Sequence, residues 1–180
     1  MNEKSANNYE VIISAVQLRQ RIAALGRQIS QDFDGRVLHC VGVLEDSFVF
    51  VADLLREITG EVRCQFVKPY VREIHDHALA TTEIFYAPKM DIEGQHVLLC
   101  VGLLSTGQTT DFLVRNYQAQ GAASISICAL LDRSSDRRVD LPVAYFGFQV
   151  GPQWLAGFGL GSPLLDRNRP FIFAAPDLRQ

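Results

Sequence analysis

The residues best able to bind a charged ligand lie between positions 97 and 113, in the segment VLLCVGLLSTGQTTDFL. The apolar run Val97–Leu104 predicts a buried strand, and the small residues Ser105-Thr106-Gly107 break it before a helix-compatible stretch. A strand, tight loop and helix of this kind aim backbone N–H groups and the positive helix end at one point, with threonine hydroxyls beside it. The segment therefore predicts an anion site, with a tight loop kept only for folding as the alternative.

The composition indicates a globular chain of one domain. Its 180 residues are 48% hydrophobic and 21% charged, which is typical of a protein with a sizeable core. The net charge of −3 and the pI near 5.8 argue against a nucleic-acid partner. The apolar runs are too short to span a bilayer, and residues 1–9 are polar and contain no apolar signal region. We predict a single domain over residues 1–180 in the cytoplasm, with residues 1–9 as a flexible leader and no membrane partner.

The cysteines lack the spacing of a metal site, and the one suggestive pair of histidines lacks a supporting context. The cysteines are far apart in sequence and fall in predicted strands, so we expect buried, reduced thiols. They are Cys40, Cys64, Cys100 and Cys128. His75 and His77 alternate as two strand ligands would, but they lie in a polar segment without a nearby cysteine. We therefore predict no metal ion at either group.

Hydrophobic periodicity in the first half of the chain predicts alternating helices and strands. Ser14 is expected to cap an amphipathic helix over Ala15–Phe33, and a strand follows over Arg36–Leu44. The acidic Glu45-Asp46-Ser47 is expected to open a second helix, either with Asp46 as its cap or with both carboxylates forming a new cation site. A further strand is expected over Glu61–Val67.

The second half continues this alternation after a polar interruption. Residues 68–80 are predicted to be an irregular, mobile loop, followed by a short strand over Thr82–Tyr86. Gly121 is expected to close the helix that follows the anion loop, and Ser124–Leu131 is a predicted strand. Short aromatic strands are expected in the tail, residues 143–175.

Short connections between alternating strands and helices predict an α/β fold. The expected form is a parallel sheet with helices on both faces. Ligands of such sheets lie at the carboxyl ends of the strands. We therefore expect the loops after Leu44, Val67, Leu104 and Leu131 to meet at one site.

Five segments together resemble one known family. In chain order they are GVLEDSFVFVADLLREI, DIEGQHVLL, STGQT, ASISICALLDR and YFGFQV followed by GFGL. Their order and spacing over about Val11–Ala174 are similar to those of the hypoxanthine (hypoxanthine-guanine) phosphoribosyltransferases. The resemblance implies a type I phosphoribosyltransferase-like fold, with a small hood or tail region beside the sheet. It also implies transfer of a phosphoribosyl group from phosphoribosyl diphosphate (PRPP) to a 6-oxopurine, with Mg²⁺ and release of pyrophosphate.

The chain departs from this family at the acidic residues. By the resemblance, Val101 and Gly102 stand where two acids bind the ribose hydroxyls and support the magnesium-bearing substrate. Ser105 stands where a third acid is the candidate general base at the purine N7. Each lost charge-assisted hydrogen bond costs about 1.5–3 kcal/mol, and the lost base slows the reaction about 10²–10⁴-fold.

The loops around the diphosphate also depart from the family. Leu44-Glu45-Asp46 replaces a Leu-Lys-Gly loop whose amides hold pyrophosphate, and we expect its two carboxylates to repel a polyanion. Val71-Arg72 replaces a Ser-Tyr pair that closes over the transition state. A late aspartate that contacts magnesium falls near Pro152, within one or two residues.

Part of the family's ligand site is retained. The resemblance assigns the 5′-phosphate to the anion loop, composed of Ser105, Thr106, Gly107, Gln108 and Thr109. Arg133 replaces a lysine that reads the purine 6-oxo group; the alternative is a solvated arginine paired with Asp132 or Asp136. Tyr145 or Phe146 is expected to stack on the purine, with ordinary packing as the alternative.

These observations favour a phosphoribosyltransferase-like protein of purine-salvage ancestry that binds a purine nucleotide with impaired or absent transferase activity. One alternative is an active purine phosphoribosyltransferase with rewired acidic residues, which would use Mg²⁺. Another is a structural partner subunit of a paralogue. The expected partners are a purine nucleotide or base and further subunits, in a homodimer, a homotetramer or a hetero-oligomer with a paralogue.

Overall fold

The computed structural model describes residues 10–76, 79–86, 90–161 and 166–175. The helices are α1 (Ala15–Asp32), α2 (Phe48–Glu57) and α3 (Gln108–Ala119), and a 3₁₀ turn spans Ser134–Asp136. The strands are β1 (Glu10–Ile13), β2 (Leu38–Val43), β3 (Val62–Val67), β4 (Tyr70–Asp76), β5 (Leu79–Tyr86), β6 (His96–Leu104), β7 (Ser124–Asp132), β8 (Val143–Gln149), β9 (Leu155–Ala156) and β10 (Ile172–Ala174).

Five parallel strands form the central sheet, in the order β3-β2-β6-β7-β8. The central strand β6 pairs with β2 on one side and β7 on the other, and His96 lies beside both Leu38 and Ser124. Because all five strands point the same way, their carboxyl ends form one edge. The parallel α/β sheet predicted from the sequence is confirmed.

Helix α1 forms where its capping residues and apolar stripe predict it. Ser14 accepts a hydrogen bond from the backbone N–H of Gln17, whose side chain bonds back to Ser14, so the first turn is closed by a capping box. The helix ends at Asp32, and Phe33 is its C-terminal cap. One face buries residues at helical spacing: Leu18, Ile22, Leu25 and Ile29.

The helices cover both faces of the sheet, as predicted. On one face, α1 and α2 enclose a core that includes Phe50, Leu98 and Leu130. On the other face, α3 packs Leu113 and Tyr117 against a second core formed by alternate residues of the same strands. The alternation of β6 between the two cores explains why its whole length is apolar.

The cysteines lie on four neighbouring strands and carry free thiols. Cys40, Cys100 and Cys128 are buried, and the sulfurs of Cys40 and Cys100 are 3.6 Å apart. Cys64 is exposed, and the prediction that it is buried is wrong. The reason is topological, since β3 is the edge strand of the sheet and its central residues face solvent.

Two regions outside the central sheet form small sheets of their own. Strands β4 and β5 pair antiparallel from Tyr70↔Tyr86 to Asp76↔Leu79, so the prediction of an irregular loop over residues 68–80 is wrong. An antiparallel hairpin pairs its own backbone groups, which lets a polar sequence remain extended. The tail forms a second small sheet, in which β10 lies between β1 and β9.

Candidate functional site

The predicted ligand loops meet at the carboxyl edge of the sheet. Because neighbouring strands run parallel and in register, the segments after β2, β6 and β7 follow one another side by side. The backbone N–H of Arg133, after β7, donates to the carbonyl oxygen of Leu104 at 2.9 Å, which ties the β7 loop to the β6 loop. The site therefore lies where doubly wound sheets bind ligands.

The anion loop, residues 105–109, has the backbone shape that the sequence predicts. Gly107 adopts a left-handed conformation with φ of 81° and caps the N-terminus of α3. A Cβ at Gly107 would meet the side chains of Val139 and Leu141 at 2.9 Å, so glycine is required by both conformation and space. The backbone N–H of Arg138 donates to the Thr106 carbonyl at 3.0 Å and holds residues 137–141 against the loop.

Two threonines of this loop are partly exposed at the helix N-terminus. Thr106, Gln108 and Thr109 are partly exposed, whereas Gly107 and Thr110 are buried. The first turn of a helix leaves backbone N–H groups without intrahelical acceptors, and the helix dipole adds a positive potential there. This geometry suits a single phosphate group.

Ser105 lies beside a carboxylate that its own segment does not contain. Its Oγ donates to Oδ2 of Asp136 at 3.1 Å. Asp136 belongs to the 3₁₀ turn after β7 and is brought to Ser105 by the pairing of β6 with β7. Asp136 is predicted only as a partner of Arg133; its contact with Ser105 is not evident from the sequence, because the two residues are 31 positions apart.

Arg133 is buried, which excludes the solvated alternative. It is 8% exposed, and its Nη2 donates to the Gln153 carbonyl at 2.6 Å. Nη1 lies 3.8 Å from Oδ2 of Asp136, and the buried Nε has no partner among the described residues. Asp132, the other predicted partner, is bonded to Arg137. The guanidinium is therefore fixed at the site with hydrogen-bonding capacity left over.

The loop after β2 is held by two basic residues rather than left as bare negative charge. Lys68 Nζ bonds Oε1 of Glu45 at 2.6 Å. Arg167 Nη1 bonds Oδ1 of Asp46 at 2.7 Å, and its Nη2 lies 3.7 Å from Glu45 Oε2. Arg167 also donates to the backbone carbonyls of Gly159 and Gly161, so it fastens this loop to the tail.

These ion pairs change the titration of the two carboxyls in opposite directions. The hydrogen bond from Lys68 and its charge lower the pKa of Glu45 below its usual value. Burial raises the pKa of Asp46, while the hydrogen bond from Arg167 partly opposes that rise. Neither ion pair is evident from local sequence, because Lys68 is 23 residues from Glu45 and Arg167 is 121 residues from Asp46.

The prediction that Asp46 caps helix α2 is wrong. The cap is the next residue, Ser47, and the helix begins at Phe48. Ser47 occupies the cap position, and its Oγ donates to the Val43 carbonyl at 2.7 Å instead of capping the helix. Asp46 is unavailable as a cap because Arg167 holds its carboxylate. The peptide bond between Leu44 and Glu45, at the start of this loop, is cis.

The two positions of the ribose-binding acids have no polar side chain and little space for one. Val101 is 5% exposed and packs in an apolar cluster with Leu104, Ile127 and Ala129. A Cβ on Gly102 would lie 2.5 Å from the backbone oxygen of Asp46. The loop after β2 therefore occupies the space that a side chain at position 102 would need.

These residues do not fit a magnesium ion. Mg²⁺ is usually held by one or two carboxylates together with waters and substrate phosphates, and neither Val101 nor Gly102 supplies a carboxylate. Glu45 and Asp46 are already paired with Lys68 and Arg167. Across the described ranges, no group of three or more His, Cys, Asp or Glu side chains could hold a metal.

The aromatic residues predicted to stack on a purine are not brought to Arg133. Tyr145 is buried early in β8, pairs with Cys128, and donates its hydroxyl to Asp32 Oδ2 at 2.8 Å on the α1 face. Phe146 is exposed, with the Arg21 guanidinium 6.0 Å from its ring centroid. The structure instead connects Arg133 to the segment after β8, through Gln153.

Three further predictions concern residues around the site. Val71-Arg72 falls within β4, and Pro152 lies in the turn between β8 and β9. The role of Pro152 stays a prediction. His77, and with it the pair formed with His75, lies outside the described residues.

Comparisons with known proteins agree with this architecture. A family model described as phosphoribosyl transferase domain matches residues 11–162. The hypoxanthine phosphoribosyltransferase of Salmonella typhimurium is 31% identical over 168 residues, which cover 91% of this chain and 93% of that protein. The hypoxanthine-guanine phosphoribosyltransferase of Staphylococcus aureus is 29% identical, with 91% of each chain covered.

Solved structures give the same result. A crystal structure of a hypoxanthine-guanine phosphoribosyltransferase from Bacillus anthracis has a TM-score of 0.83 at 29% identity, covering 93% of this chain and 98% of that one. A hypoxanthine phosphoribosyltransferase from Staphylococcus aureus has a TM-score of 0.86 at 28% identity, covering 98% and 96%. Within the described ranges, no helix is long and apolar enough to cross a membrane.

Proposed function

The chain belongs to the hypoxanthine phosphoribosyltransferase family, and from that premise we propose that it binds a purine nucleotide but catalyses phosphoribosyl transfer poorly or not at all. The proposal separates the site into two ends. The phosphate and purine end keeps groups that bind a ligand, and the diphosphate end has lost them. The observation that carries the proposal is the occupation of the diphosphate loop by the chain's own ion pairs.

The phosphate and purine end is supported by the anion loop and by Arg133. The partly exposed Thr106 and Thr109 stand at a helix N-terminus, which favours a 5′-phosphate. Arg133 carries only donors, and donors match a 6-oxo group rather than a 6-amino group.

At the diphosphate end, both the charge of the loop and the available space oppose binding of pyrophosphate. A pyrophosphate group would have to displace Glu45 and Asp46 from Lys68 and Arg167 before either cation could bind it. The backbone of Asp46 also excludes an acidic side chain at Gly102. Losing both the pyrophosphate contacts and the acids weakens binding of PRPP far more than binding of a nucleoside monophosphate.

Isothermal titration calorimetry with IMP, GMP, PRPP and pyrophosphate tests this proposal. We expect IMP or GMP to bind, and PRPP and pyrophosphate to bind at least tenfold more weakly. A Thr109→Val variant removes a hydroxyl from the anion loop and should weaken IMP, whereas Thr59→Val, at an exposed position after α2, should not. Binding of none of the four ligands would leave a structural subunit as the remaining interpretation.

One observation favours an active, rewired enzyme as a second candidate. The Asp136 carboxylate lies 3.1 Å from Ser105 Oγ, so an acid is present near the position of the family's candidate base although the local sequence lacks one. This candidate requires measurable transfer to hypoxanthine that is lost in an Asp136→Ala variant. The predicted homo-oligomer, the paralogue partner and the cytoplasmic location stay predictions.

A further inference from the structure

The four cysteines form a row across one face of the central sheet. Cys64 and Cys40 are register partners on β3 and β2, and Cys100 and Cys128 are register partners on β6 and β7. The sulfurs of Cys40 and Cys100 lie 3.6 Å apart and join the two pairs. The row begins at the exposed Cys64 on the edge strand and ends at Cys128, in the core beneath α1 and α2. A reagent in solution therefore meets this row of thiols at Cys64.

One pair in the row combines the spacing of a disulfide with access from solvent. Register partners on neighbouring strands have Cα atoms about 4.8 Å apart, within the range of about 4.4–6.8 Å that a disulfide spans. Cys100 lies two residues beyond the register partner of Cys40, and this extra length of about 6–7 Å takes their Cα atoms out of that range. Cys100 and Cys128 have the spacing, but both are buried. The pair that meets both conditions is Cys40 with Cys64.

The order of the two thiols suits two successive exchange steps. Thiol–disulfide exchange passes through a mixed disulfide, in which a second sulfur attacks one side of the bond and a thiol leaves from the other. Cys64 lies on the solvent side of Cys40, because β3 is the edge strand and β2 is the next strand inward. A group attached to Cys64 is therefore directed to solvent, and the buried Cys40 approaches the same sulfur from the interior.

The neighbouring thiols prepare Cys40 as the attacking sulfur. Contacts with the thiols of Cys100 and Cys64 lower the pKa of Cys40, although burial opposes this effect. Contacts with Cys128 and Cys40, together with burial, raise the pKa of Cys100, so Cys100 keeps its proton and can donate it to the Cys40 sulfur. The thiolate is the nucleophile in exchange reactions, so these contacts favour attack by Cys40.

We propose that Cys64 and Cys40 are a reactive thiol pair that a low-molecular-weight disulfide oxidises to an intramolecular disulfide between β3 and β2. First, the Cys64 sulfur attacks the small disulfide, forms a mixed disulfide and releases one small thiol. Cys40 then attacks the Cys64 sulfur and expels the second small thiol. The two protein thiols lose two electrons and two protons, which convert the small disulfide into two thiols. Because the pair lies in the middle of β2 and β3, away from the carboxyl edge, this reaction does not depend on nucleotide binding.

The test exposes the native protein to oxidised glutathione, blocks the remaining thiols with iodoacetamide, and measures the intact mass. The wild type should lose two hydrogens and retain no glutathione, and peptide mapping should join Cys40 to Cys64. Added dithiothreitol should reverse the change.

Three variants separate the two steps. In Cys40→Ala, the reaction should stop at the mixed disulfide on Cys64, whose level should exceed that of the wild type at least about tenfold, since no thiol displaces the glutathione. Cys64→Ser should react at least about tenfold more slowly than the wild type, because its remaining thiols are buried. The control Cys128→Ala removes a buried thiol from the far end of the row and should form the disulfide as the wild type does.

Four results would overturn the proposal. They are a glutathione adduct on wild-type Cys64 as persistent as that in Cys40→Ala, a disulfide that includes Cys100, modification of Cys64→Ser at the wild-type rate, and failure of the wild type to react. Should Cys40→Ala fail to fold, peptide mapping of the oxidised wild type decides alone, because a product other than the Cys40–Cys64 disulfide contradicts the assignment.

Discussion

The backbone oxygen of Asp46 lies 2.5 Å from the position that a Cβ atom on Gly102 would take. Gly102 stands where the family resemblance places a ribose-binding acid, and Asp46 stands in the loop where it places the pyrophosphate contacts. The chain therefore has no side chain at position 102 at the point where the backbone of this loop lies close to β6. We expect an acid restored at position 102 alone to clash with the loop.

Substitutions at Gly102 should destabilise the protein even when they are small. Gly102→Ala places a Cβ against backbone that Arg167 holds through Asp46, and we expect a loss of about 1–3 kcal/mol in the free energy of unfolding. Gly102→Asp should lose at least as much and should not gain PRPP binding. Chemical denaturation measures the first effect, and an unchanged denaturation midpoint in Gly102→Ala would contradict the close approach.

Arg167 should contribute more to stability than the neighbouring Arg169. Arg167→Ala leaves Asp46 and the carbonyls of Gly159 and Gly161 without their donor, and we expect a loss of about 2 kcal/mol in the free energy of unfolding. Arg169→Ala is the matched control, since that side chain is 40% exposed and pairs with Asp166; its cost should stay below about 1 kcal/mol. Equal effects would show that the tail is not fastened through Asp46.

Restoring the family's loop composition should restore affinity for pyrophosphate. The double variant Glu45→Lys with Asp46→Gly removes two carboxylates and frees Lys68 and Arg167 to bind an anion. We expect at least a tenfold gain in pyrophosphate affinity by calorimetry, weakening as salt is added. Glu61→Lys changes an exposed charge at the opposite edge of the sheet and is the control. A gain of equal size in both variants would indicate net charge rather than the loop.

The buried hydroxyl of Tyr117 should make the free energy of unfolding fall as the pH rises above 10. This hydroxyl has no hydrogen-bond partner among the described residues, and burial raises its pKa from 10.0 to about 12. Between pH 10 and 12 the unfolded chain releases this proton and the folded chain keeps it, so stability falls by about 1.4 kcal/mol per pH unit. At neutral pH, Tyr117→Phe should be neutral or stabilising because it removes an unsatisfied group.

The check on Tyr117 is a series of urea denaturation curves from pH 8 to 11.5. The wild type should lose stability above pH 10, and Tyr117→Phe should lose less over the same range. Parallel losses in the two proteins would assign the alkaline sensitivity to other groups. Tyr145→Phe is a useful comparison, since burial and the bond to Asp32 also raise the pKa of Tyr145.

Local patterns predict most of the fold, because each of them depends only on residues that are close together in the sequence. The capping box at Ser14, the helical spacing from Leu18 to Ile29 and the uniformly apolar β6 each have one physical interpretation. The hairpin of β4 and β5 was missed because its sequence is polar, and polar sequences also form loops. The exposure of Cys64 depends on strand order, which alternation alone does not fix.

The site was harder to predict because its decisive contacts join distant segments. Arg167 reaches Asp46 across 121 positions, and Asp136 reaches Ser105 across 31. The sequence shows the two carboxylates of the loop after β2, but it does not show that Lys68 and Arg167 pair with them. Tyr145 and Phe146 are assigned by their resemblance to a purine pocket, but strand register places them near the middle of β8, beside Cys128 and Ala129.

The family scaffold is intact, but we expect its site to support the family's reaction poorly or not at all. The most direct measurement is a steady-state assay with hypoxanthine or guanine, PRPP and magnesium, using a wild-type family enzyme as the positive control. We predict turnover slower than about 0.1 per second, at least a hundredfold below a typical enzyme. Turnover in the ordinary range of about 1–10³ per second would contradict the account.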